Sequence, residues 1–379
     1  MSSELLRHFN HLLSLPSVSS ADPDLDMSNL PVVHYLAELF TALGFDCELL
    51  PLPDAPHKAN LIATLGKGPG GLVLSGHTDT VPFDEALWST NPLQLTEKDQ
   101  RLYGLGATDM KGFFAIVHEA VRIFHDAPLQ APLIVLATAD EESSMDGARM
   151  LVKQGRPQAR YALIGEPTGL KPINRHKGVM MERLRVQGRS GHSSNPALGI
   201  NALESMHEMI AALLVLRRNL QQRYHNPLFD IDIPTMNLGV IHGGDNPNRI
   251  CGHCSLEFDV RILPGMACDS LRAEIQAMLA PIAERHGTPF DFTPLFPGVD
   301  AFANEHSDIS LTCARLTGHE PQGVAFATEA PFLQALGMDT VVLGPGSIDV
   351  AHQPDEYMAL DQMQPCIDLI QALVRRYCL

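Results

Sequence analysis

The hydrophobic pattern in the first half of the chain alternates between the helical and the extended period. Apolar residues recur at helical spacing in SELLRHFNHLL and LPVVHYLAELFTALGF, and short apolar runs bounded by Gly or Pro follow in CELLPL, NLIATLG and GLVLSG. Next, KGFFAIVHEAVRIFHD and DGARMLVKQG predict helices, and PLIVLATA and YALIGE predict strands. This alternation is typical of a largely parallel sheet with helices on both faces.

The pattern changes after about residue 177. MMERLRVQGR, TMNLGVIHGG and ICGHCSLEFDVRIL alternate polar and apolar residues, which predicts strands with one solvated face, and helices are predicted for about residues 200–220 and for SLRAEIQAMLAPIAERHG. FDFTPL, the helices SDISLTCARLTG, TEAPFLQALG and DQMQPCIDLIQALVRRY, and the strand TVVLGPG then resume the first pattern. We therefore expect an α/β domain, 1–177 and 287–379, that carries an inserted α+β domain, 178–286.

Length and charge limit the classes of function. A chain of 379 residues with 45% apolar content suits two domains, because single cores seldom grow beyond roughly 250–300 residues. The net charge of −17 offers no basic patch to nucleic acid or to an anionic membrane. No apolar run approaches the ~20 residues of a membrane span, and the start MSSELLRHFNHLL lacks the pattern of a secretion signal. We expect a cytoplasmic protein without nucleic-acid or membrane partners.

Seven cysteines are spread along the chain, and their odd number suits reduced thiols better than a disulfide framework. Cys251 and Cys254 form the close pair CGHC, a spacing that also occurs in redox and zinc sites. An alternating strand follows instead of a helix, and no second pair is present. A structural role is therefore the favoured interpretation.

Acidic and imidazole side chains occur where the predicted strands of the outer domain end. Ligand-binding residues of open α/β sheets gather beyond the carboxyl ends of the strands, so these side chains are expected on one rim. They are His77 and Asp79 after GLVLSG, Asp109 in GLGATDM, Glu141 and Glu142 after LIVLATAD, Glu166 ending ALIGE, and His352 after VVLGPGS. Two imidazoles among several carboxylates indicate a metal site.

Each of these residues also has an ordinary structural explanation. The chain has 17 histidines, and a single histidine is more often a surface or hydrogen-bonded residue than a ligand. Asp109 alone could cap a helix, and Glu166 alone could end a strand in solvent. The coincidence of the same ligand chemistry at five strand ends favours the metal site.

Two pairs have spacings that suit metal chemistry. Residues i and i+2 of a strand point the same way, so Asp79 lies beside His77 and can accept its second ring N–H, which fixes the tautomer. The side chains of Glu141 and Glu142 diverge because they are neighbours. One of them can bind metal while the other faces a water.

Charge counting favours two metal ions. Asp109, Glu142 and Glu166 bring three negative charges against four positive charges from two divalent ions, which leaves one positive charge to stabilise a bridging hydroxide. A single ion would leave the carboxylates repelling one another. Imidazole and carboxylate ligands without thiolate suit Zn²⁺, Co²⁺ or Mn²⁺.

Six stretches, in order from about residue 70 to 355, resemble the signatures of the M20 metallopeptidase family. They are SGHTDTVPF, YGLGATDMKG, ATADEESS, IGEPT, SGHSS and AHQPDEY. The resemblance implies a hydrolase with two Zn²⁺ per subunit, which Co²⁺ can replace, acting on a small-molecule N-acyl amino acid. It also implies that the smaller domain is both a lid and the interface of a homodimer.

The resemblance implies a position for each metal ligand. His77 and Glu166 are the terminal ligands of one metal, Glu142 and His352 are those of the other, and Asp109 bridges the two. Many members of the family have aspartate where Glu166 stands. Glutamate there is the form expected of the deacetylase and desuccinylase branch.

The resemblance implies three further roles. Asp79 orients His77, and Glu141 is the general acid/base that takes a proton from the attacking water and gives it to the departing amine. His192 in RSGHSS supports the oxyanion in the site of the neighbouring subunit. The alternative for His192 is a turn residue between Gly and Ser.

Substrate-binding residues are also implied by the resemblance. Cations and amide nests suit a substrate carboxylate, and surface ion pairing is the alternative for each charged candidate. The candidates are Lys177 in HKG, Asn248 and Arg249 in NPNRI, Arg261 in FDVRIL, and Gly346 and Ser347 of the GPGS loop. Glu329 in ATEAP could bind a cationic amine of the substrate.

The exact residues of three longer stretches resemble those of one activity within the family. The stretches are GHTDTVPFD, RSGHSSNPA and IHGGDNPNRICG. This resemblance favours removal of the acetyl group from N2-acetyl-L-ornithine in arginine biosynthesis. The acyl pocket cannot be built from one sequence, so removal of succinate from N-succinyl-diaminopimelate and broader deacylation of N-acyl amino acids stay open. A non-catalytic, zinc-binding relative is a different class, and the presence of Glu141 with all five ligands argues against it.

Overall fold

A computed structural model describes residues 2–379. The helices and strands follow in chain order: α1 Ser3–Ser14, α2 Leu30–Ala42, β1 Asp46–Leu52, β2 Ala55–Leu65, β3 Leu72–His77, β4 Thr96–Lys98, β5 Arg101–Tyr103, α3 Lys111–Val121, β6 Leu133–Thr138, α4 Asp146–Gln154, β7 Tyr161–Pro167, β8 Ile173–His176, β9 Gly178–Gln187, α5 Ala202–Arg223, β10 Thr235–Gly243, β11 His253–Ile262, α6 Cys268–His286, β12 Phe290–Pro294, β13 Phe302–Ala303, α7 Asp308–Thr317, β14 Gln322–Val324, α8 Ala330–Ala335, β15 Asp339–Gly344, β16 Tyr357–Ala359 and α9 Leu360–Tyr377.

The chain divides into two compact units. The larger unit contains the chain up to Asn174 together with Asn304–Gln322 and Thr328–Leu379, and the smaller unit contains Arg175–Ala303 and Gly323–Ala327. Among residues 2–379, no helix is both long enough and apolar enough to cross a bilayer.

The larger unit is built on a sheet with the strand order β1-β2-β6-β3-β7-β15. The neighbours β6, β3, β7 and β15 run parallel, whereas β1 pairs with β2, and β2 with β6, in antiparallel fashion. Strands β3, β6 and β7 are buried at every residue, as expected of parallel strands covered by helices. The continuous apolar runs in the sequence therefore become the centre of the sheet.

Helices α1, α2, α3 and α9 share one hydrophobic core with alternate strand residues such as Leu72 and Leu74. Val73, between them on the opposite side of the strand, is also buried. Helices α4 and α8 pack against each other, and α8 packs against β15. The apolar faces predicted for α2, α3 and α9 thus pack against strands of the sheet.

Two glycines near the ends of β3 and β7 let helix α3 approach the sheet closely. A Cβ atom on Gly165 would lie 2.4 Å from the Phe113 ring, and one on Gly76 would lie 2.6 Å from the end of the Met110 side chain. Larger residues at these places would push α3 away from the sheet. The glycines therefore bring the start of α3 close to the two strand ends that carry predicted ligands.

The smaller unit has a four-stranded sheet in the order β10-β11-β9-β12, and all three pairings are antiparallel. Burial alternates along β11, and residues of α5 and α6 pack with the buried face of the sheet in a second hydrophobic core. Asn201 caps α5 by accepting from the Leu203 N–H, and Gly287 ends α6 in the left-handed conformation. The polar and apolar alternation in the sequence corresponds to a sheet with one face packed on helices.

The predicted fold class is confirmed: the protein is α/β, with a largely parallel central sheet, helices and a second, smaller unit. The predicted domain boundaries stay a prediction, and the compact units differ from them. Strand β12, from the segment FDFTPL that the sequence analysis places in the outer domain, pairs with β9. The hydrophobic pattern of so short a segment does not show which distant strand it pairs with. All seven cysteines are free thiols, and the Cys251 thiol donates to the backbone oxygen of His253.

Candidate metal centre

His77 ends strand β3 and is buried. Its Nδ1 lies 3.0 Å from the backbone oxygen of Asp79, and its Nε2 lies 2.9 Å from Asp109 Oδ1 and 3.9 Å from Glu166 Oε1. A carbonyl oxygen only accepts, so Nδ1 carries a proton, and in the neutral form of the ring, the form that binds metal, Nε2 carries the lone pair. The nitrogen able to bind metal therefore points at the carboxylates.

Asp79 contacts His77 in a different way from the predicted one. Its carboxylate oxygen Oδ1 lies 3.7 Å from His77 Nδ1, farther than its own backbone oxygen, and Oδ2 accepts from the backbone N–H of Glu142 at 3.0 Å. The side chain thus links the end of β3 to the segment that follows β6. The i and i+2 spacing predicted the closeness of the two residues but not which oxygen takes the ring N–H.

Asp109 lies between two histidines. Oδ1 faces His77, and Oδ2 lies 3.2 Å from Nε2 of His352. That same Nε2 is 3.1 Å from each oxygen of Glu142. One carboxylate with an oxygen toward each imidazole has the geometry that a bridging ligand requires.

Two overlapping groups of side chains bring ligand atoms within 4.8 Å of one another. One consists of His77, Asp109 and Glu142, and the other of His77, Glu141 and Glu166. His352 joins the first group through Asp109 and Glu142. The structure therefore brings together all five predicted ligands and the predicted base.

The electrostatics of this cluster are those of crowded buried carboxylates. Burial and the neighbouring Glu166 raise the pKa of Glu141 well above its usual value, and burial and Asp109 do the same to the pKa of Glu166. Burial lowers the pKa of His77, but its hydrogen bond to Asp109 and the nearby carboxylates outweigh that effect and raise it well above the usual value. The cluster therefore attracts positive charge.

The residues present fit divalent metal ions. The donors are imidazole nitrogens and carboxylate oxygens without thiolate, which is the ligand set of zinc and its neighbours in the first transition row. The buried Oδ1 of Asp79 has no hydrogen-bond partner within residues 2–379 and lies 3.7 Å from Nδ1 of His77, so it adds negative charge next to a predicted ligand. Cations between the carboxylates would relieve their mutual repulsion.

Comparison with known proteins identifies the family. The model of "Peptidase family M20/M25/M40" matches residues 73–376, a span that contains every residue of the cluster. The chain belongs to this M20 family.

Relatives within the M20 family cover almost the whole chain. Acetylornithine deacetylases from Pectobacterium atrosepticum and Vibrio vulnificus are each 47% identical to it, over 98% of this chain and 97% of theirs. Among solved structures, an M20 family metallo-carboxypeptidase from Sulfolobus solfataricus superposes with a TM-score of 0.76 at 18% identity, covering 99% of both chains. A dinuclear metal binding peptidase of the M20 family from Bacillus subtilis gives a TM-score of 0.68 at 15% identity, covering 98% of this chain and 97% of its own. The two structures show that the fold is shared.

His192 lies in the smaller unit, in the exposed segment between β9 and α5. Its Nδ1 lies 3.2 Å from the backbone nitrogen of Ser194 and 2.7 Å from the hydroxyl of that residue. An amide N–H only donates, so Nδ1 accepts, and the proton of the neutral ring is on Nε2. The ring thus presents an N–H donor to its surroundings, which is the form that oxyanion support requires.

The four predicted substrate-binding residues of the smaller unit differ in availability. Lys177 is buried, and its ammonium group donates to the backbone oxygen of Ile233 at 2.8 Å. The other three are more exposed, and the two arginines pair with neighbouring aspartates. They are Asn248 in the exposed turn before β11, Arg249 with Nη1 2.5 Å from Asp245, and Arg261 with Nε 3.1 Å from Asp259. Lys177 therefore already has a structural partner, whereas the arginines are paired only at the surface.

The remaining three candidates lie in the larger unit. Gly346 has φ +88°, and its N–H donates to Gln362 Oε1 at 2.7 Å; Ser347 caps the short turn Ile348–Val350. Glu329 is buried at the start of α8, where Oε2 accepts from the Thr138 hydroxyl and Oε1 has no partner within residues 2–379. Burial raises the pKa of Glu329 to about 7. The carboxyl group of Glu329 thus lies at the end of β6, near Glu141 and Glu166.

Glu356 supports the site and was not predicted from the sequence. It is buried, and its carboxylate accepts from the backbone N–H groups of Gly106, Thr108 and Asp109 at 3.2, 2.7 and 3.0 Å. Three such bonds fix the loop that presents the Asp109 carboxylate. The signal available was its place in AHQPDEY, four residues after His352, but the sequence does not show which backbone it faces.

Proposed function

We propose that this chain is a dinuclear metal-dependent hydrolase that removes the acetyl group from N2-acetyl-L-ornithine, giving L-ornithine and acetate. The observation that carries the proposal is the convergence of His77, Asp109, Glu142, Glu166 and His352 on one centre. The substrate is supported by relatives named acetylornithine deacetylase that are 47% identical over 98% of the chain. The proposal places the reaction in arginine biosynthesis in the cytoplasm.

Each residue of the site has a proposed role in the reaction. Two divalent ions, Zn²⁺ or Co²⁺, when bound, would lower the pKa of water and polarise the amide carbonyl. Glu141 accepts a proton from the attacking water and then gives it to the amine nitrogen as the C–N bond breaks. Asp109 holds His77 and His352 on its two sides, and Asp79 fixes the ring of His77 through its backbone oxygen.

A donor is needed for the negative charge that develops on the carbonyl oxygen. The N–H of His192 is the proposed donor, because Ser194 holds the ring in the required tautomer. We propose that His192 acts in the site of the second subunit of a homodimer, and that the smaller unit is both lid and dimer interface. Arg249 and Arg261 are the proposed partners of the substrate carboxylate.

Rates of hydrolysis of N2-acetyl-L-ornithine and N-succinyl-diaminopimelate by the purified, metal-loaded protein test the substrate. We expect kcat/KM for the acetyl compound to exceed that for the succinyl compound by at least about tenfold, which corresponds to about 1.4 kcal/mol of transition-state discrimination. The Glu141→Ala variant, prepared in the same way, measures any contaminating hydrolase. Faster cleavage of the succinyl compound would replace this substrate with the alternative.

A further inference from the structure

The segment between β6 and α4 carries Glu141 and Glu142, and it is held in an unusual conformation. Asp140 and Met145 have φ angles of +60° and +56°, in the left-handed region that non-glycine residues seldom adopt. The backbone oxygen of Asp140 accepts from the N–H groups of Ser144 and Met145, so the segment closes on itself at Asp140. Such a conformation persists only where its surroundings hold it.

Two side chains of β2 hold both ends of this segment. Asn60 is fully buried; its Oδ1 accepts from the Ala139 N–H at 3.0 Å, and its Nδ2 donates to the Gly147 oxygen at 2.9 Å. Lys58 lies two residues earlier on the same side of the strand, and its ammonium group contacts Oδ1 of Asp140 directly. One strand thus fixes the backbone before and after the two glutamates.

The contact between Lys58 and Asp140 is a buried, charged one. Lys58 is 4% exposed, and Asp26 Oδ1 lies 2.6 Å from its ammonium group. The Ser19 hydroxyl donates to Asp140 Oδ1 at 2.7 Å. Burial lowers the pKa of Lys58, but its pairing with Asp140 and Asp26 outweighs this effect and raises it. A buried cation paired in this way is costly to remove, because its partners stay behind uncompensated.

We infer that Lys58 and Asn60 are positioning residues that fix the base Glu141 and the ligand Glu142 through Asp140 and the adjoining backbone. This inference rests on the proposed function for the role of Glu141, and its effect on Glu142 concerns metal binding alone. A residue that orients a metal ligand typically contributes 10- to 100-fold to metal affinity or activity. The ammonium group of Lys58 is buried between Asp140 and Asp26, so its route to the two glutamates runs through Asp140.

Titration of the metal-free protein with Co²⁺, followed by absorption, tests the inference without any substrate. Lys58→Met is expected to weaken Co²⁺ binding by about tenfold or more, and to lower kcat per cobalt-loaded, folded molecule about 10- to 100-fold with KM changed much less. Lys58→Arg keeps the charge and is expected to restore most of both quantities. Undiminished Co²⁺ affinity together with native kcat in Lys58→Met would overturn the inference.

The matched control is Arg272→Met in the smaller unit, which breaks a buried ion pair with Glu182 at 2.8 Å. It is expected to lower the free energy of unfolding while Co²⁺ affinity and kcat per folded molecule stay native. Equal losses in both variants would show a general effect of stability and overturn the inference. If Lys58→Met does not fold, Ser19→Ala removes the hydrogen bonds of the Ser19 hydroxyl to Asp140 and Ser143, both in the same segment. This variant should weaken Co²⁺ binding several-fold, and native affinity there would overturn the inference. If the native protein fails to hydrolyse N2-acetyl-L-ornithine, the proposed function fails, and the Co²⁺ titration still decides this inference.

Discussion

At the residue scale, single hydrogen bonds give two histidines opposite tautomers. The backbone oxygen of Asp79 takes the N–H of His77 Nδ1 and leaves Nε2 free for a metal, whereas the N–H of Ser194 occupies His192 Nδ1 and leaves a proton on Nε2. Main-chain groups cannot change their donor or acceptor character. In the proposed reaction, the same type of side chain therefore serves as a metal ligand at one place and as a hydrogen-bond donor at the other.

Replacing Glu141 with alanine separates the base from the ligands. Glu141 is the proton acceptor in the proposed reaction, and Glu142, Glu166, Asp109 and the two histidines supply the ligand atoms. We expect Glu141→Ala to lower kcat by at least about 10²–10⁴-fold, the usual contribution of a general base, while most of the bound metal is retained. Steady-state kinetics and elemental analysis of the same sample measure the two quantities.

Glu97→Ala, an exposed change on β4, is the control for handling and metal loading. Turnover that survives Glu141→Ala at a native rate would refute the role of base. Loss of the metal together with the activity would assign Glu141 to the ligands instead.

At the element scale, the sequence predicted the strand ends well because each of them combines an apolar run with an abrupt polar residue. The predicted ligands His77 and Glu166 follow from that pattern. The roles of Lys58, Asn60 and Glu356 do not, because their partners are backbone groups of other elements that are distant in the sequence. Periodicity shows which face of an element is buried, but not which loop packs against it.

Helices α1 and α3 pack through two buried histidines, and this contact predicts how stability depends on pH. The rings of His8 and His118 lie 4.7 Å apart, with Glu4, Arg7, Arg122, Tyr35 and Glu119 as the titratable or charged neighbours. Burial and the neighbouring His8 lower the pKa of His118 to about 4 from its usual 6.5, and burial also lowers the pKa of His8. The unfolded chain therefore takes up protons first as the pH falls.

The contribution of neutral His118 to the free energy of unfolding is fully present above pH 6.5. It is lost as the pH falls from 6.5 toward 4. Urea unfolding at about pH 7.5 and about pH 5 gives the free energy of unfolding at each pH. Between these two values it should decrease less in His118→Phe than in the native protein, and the two decreases should differ by up to about 2 kcal/mol. The ring of Phe40 lies 6.0 Å from that of His118, so a phenyl ring at this position would have an aromatic neighbour. Equal decreases in the two proteins would contradict the assignment.

At the scale of the whole molecule, the chain brings the predicted metal ligands together from five separate segments of the larger unit and carries His192 in the smaller one. The resemblance of six short motifs was enough to expect both features. The position of β12 and the structural contacts of Lys177 depend on tertiary packing, and the sequence pattern does not contain them.

Mixing two inactive variants tests whether His192 acts in the partner subunit. A dimer of one Glu141→Ala chain and one His192→Ala chain has a single complete site if His192 reaches across, and none if it serves its own chain. Random mixing gives about half mixed dimers, so we expect the mixture to recover about one quarter of native activity and the isolated mixed dimer about one half. Co-expression with two affinity tags isolates the mixed dimer for the kinetic measurement. No recovery in that species would place His192 in the site of its own chain.

The central claim is that these strand ends form a site for two metal ions. Titration of the metal-free protein with Zn²⁺, read as ions bound per chain at saturation, tests it most directly. We predict that the native protein binds two ions and that His352→Ala loses tight binding of one of them, because Nε2 of His352 lies beside the carboxylates of Asp109 and Glu142. Saturation of the native protein at one ion or none would contradict the account.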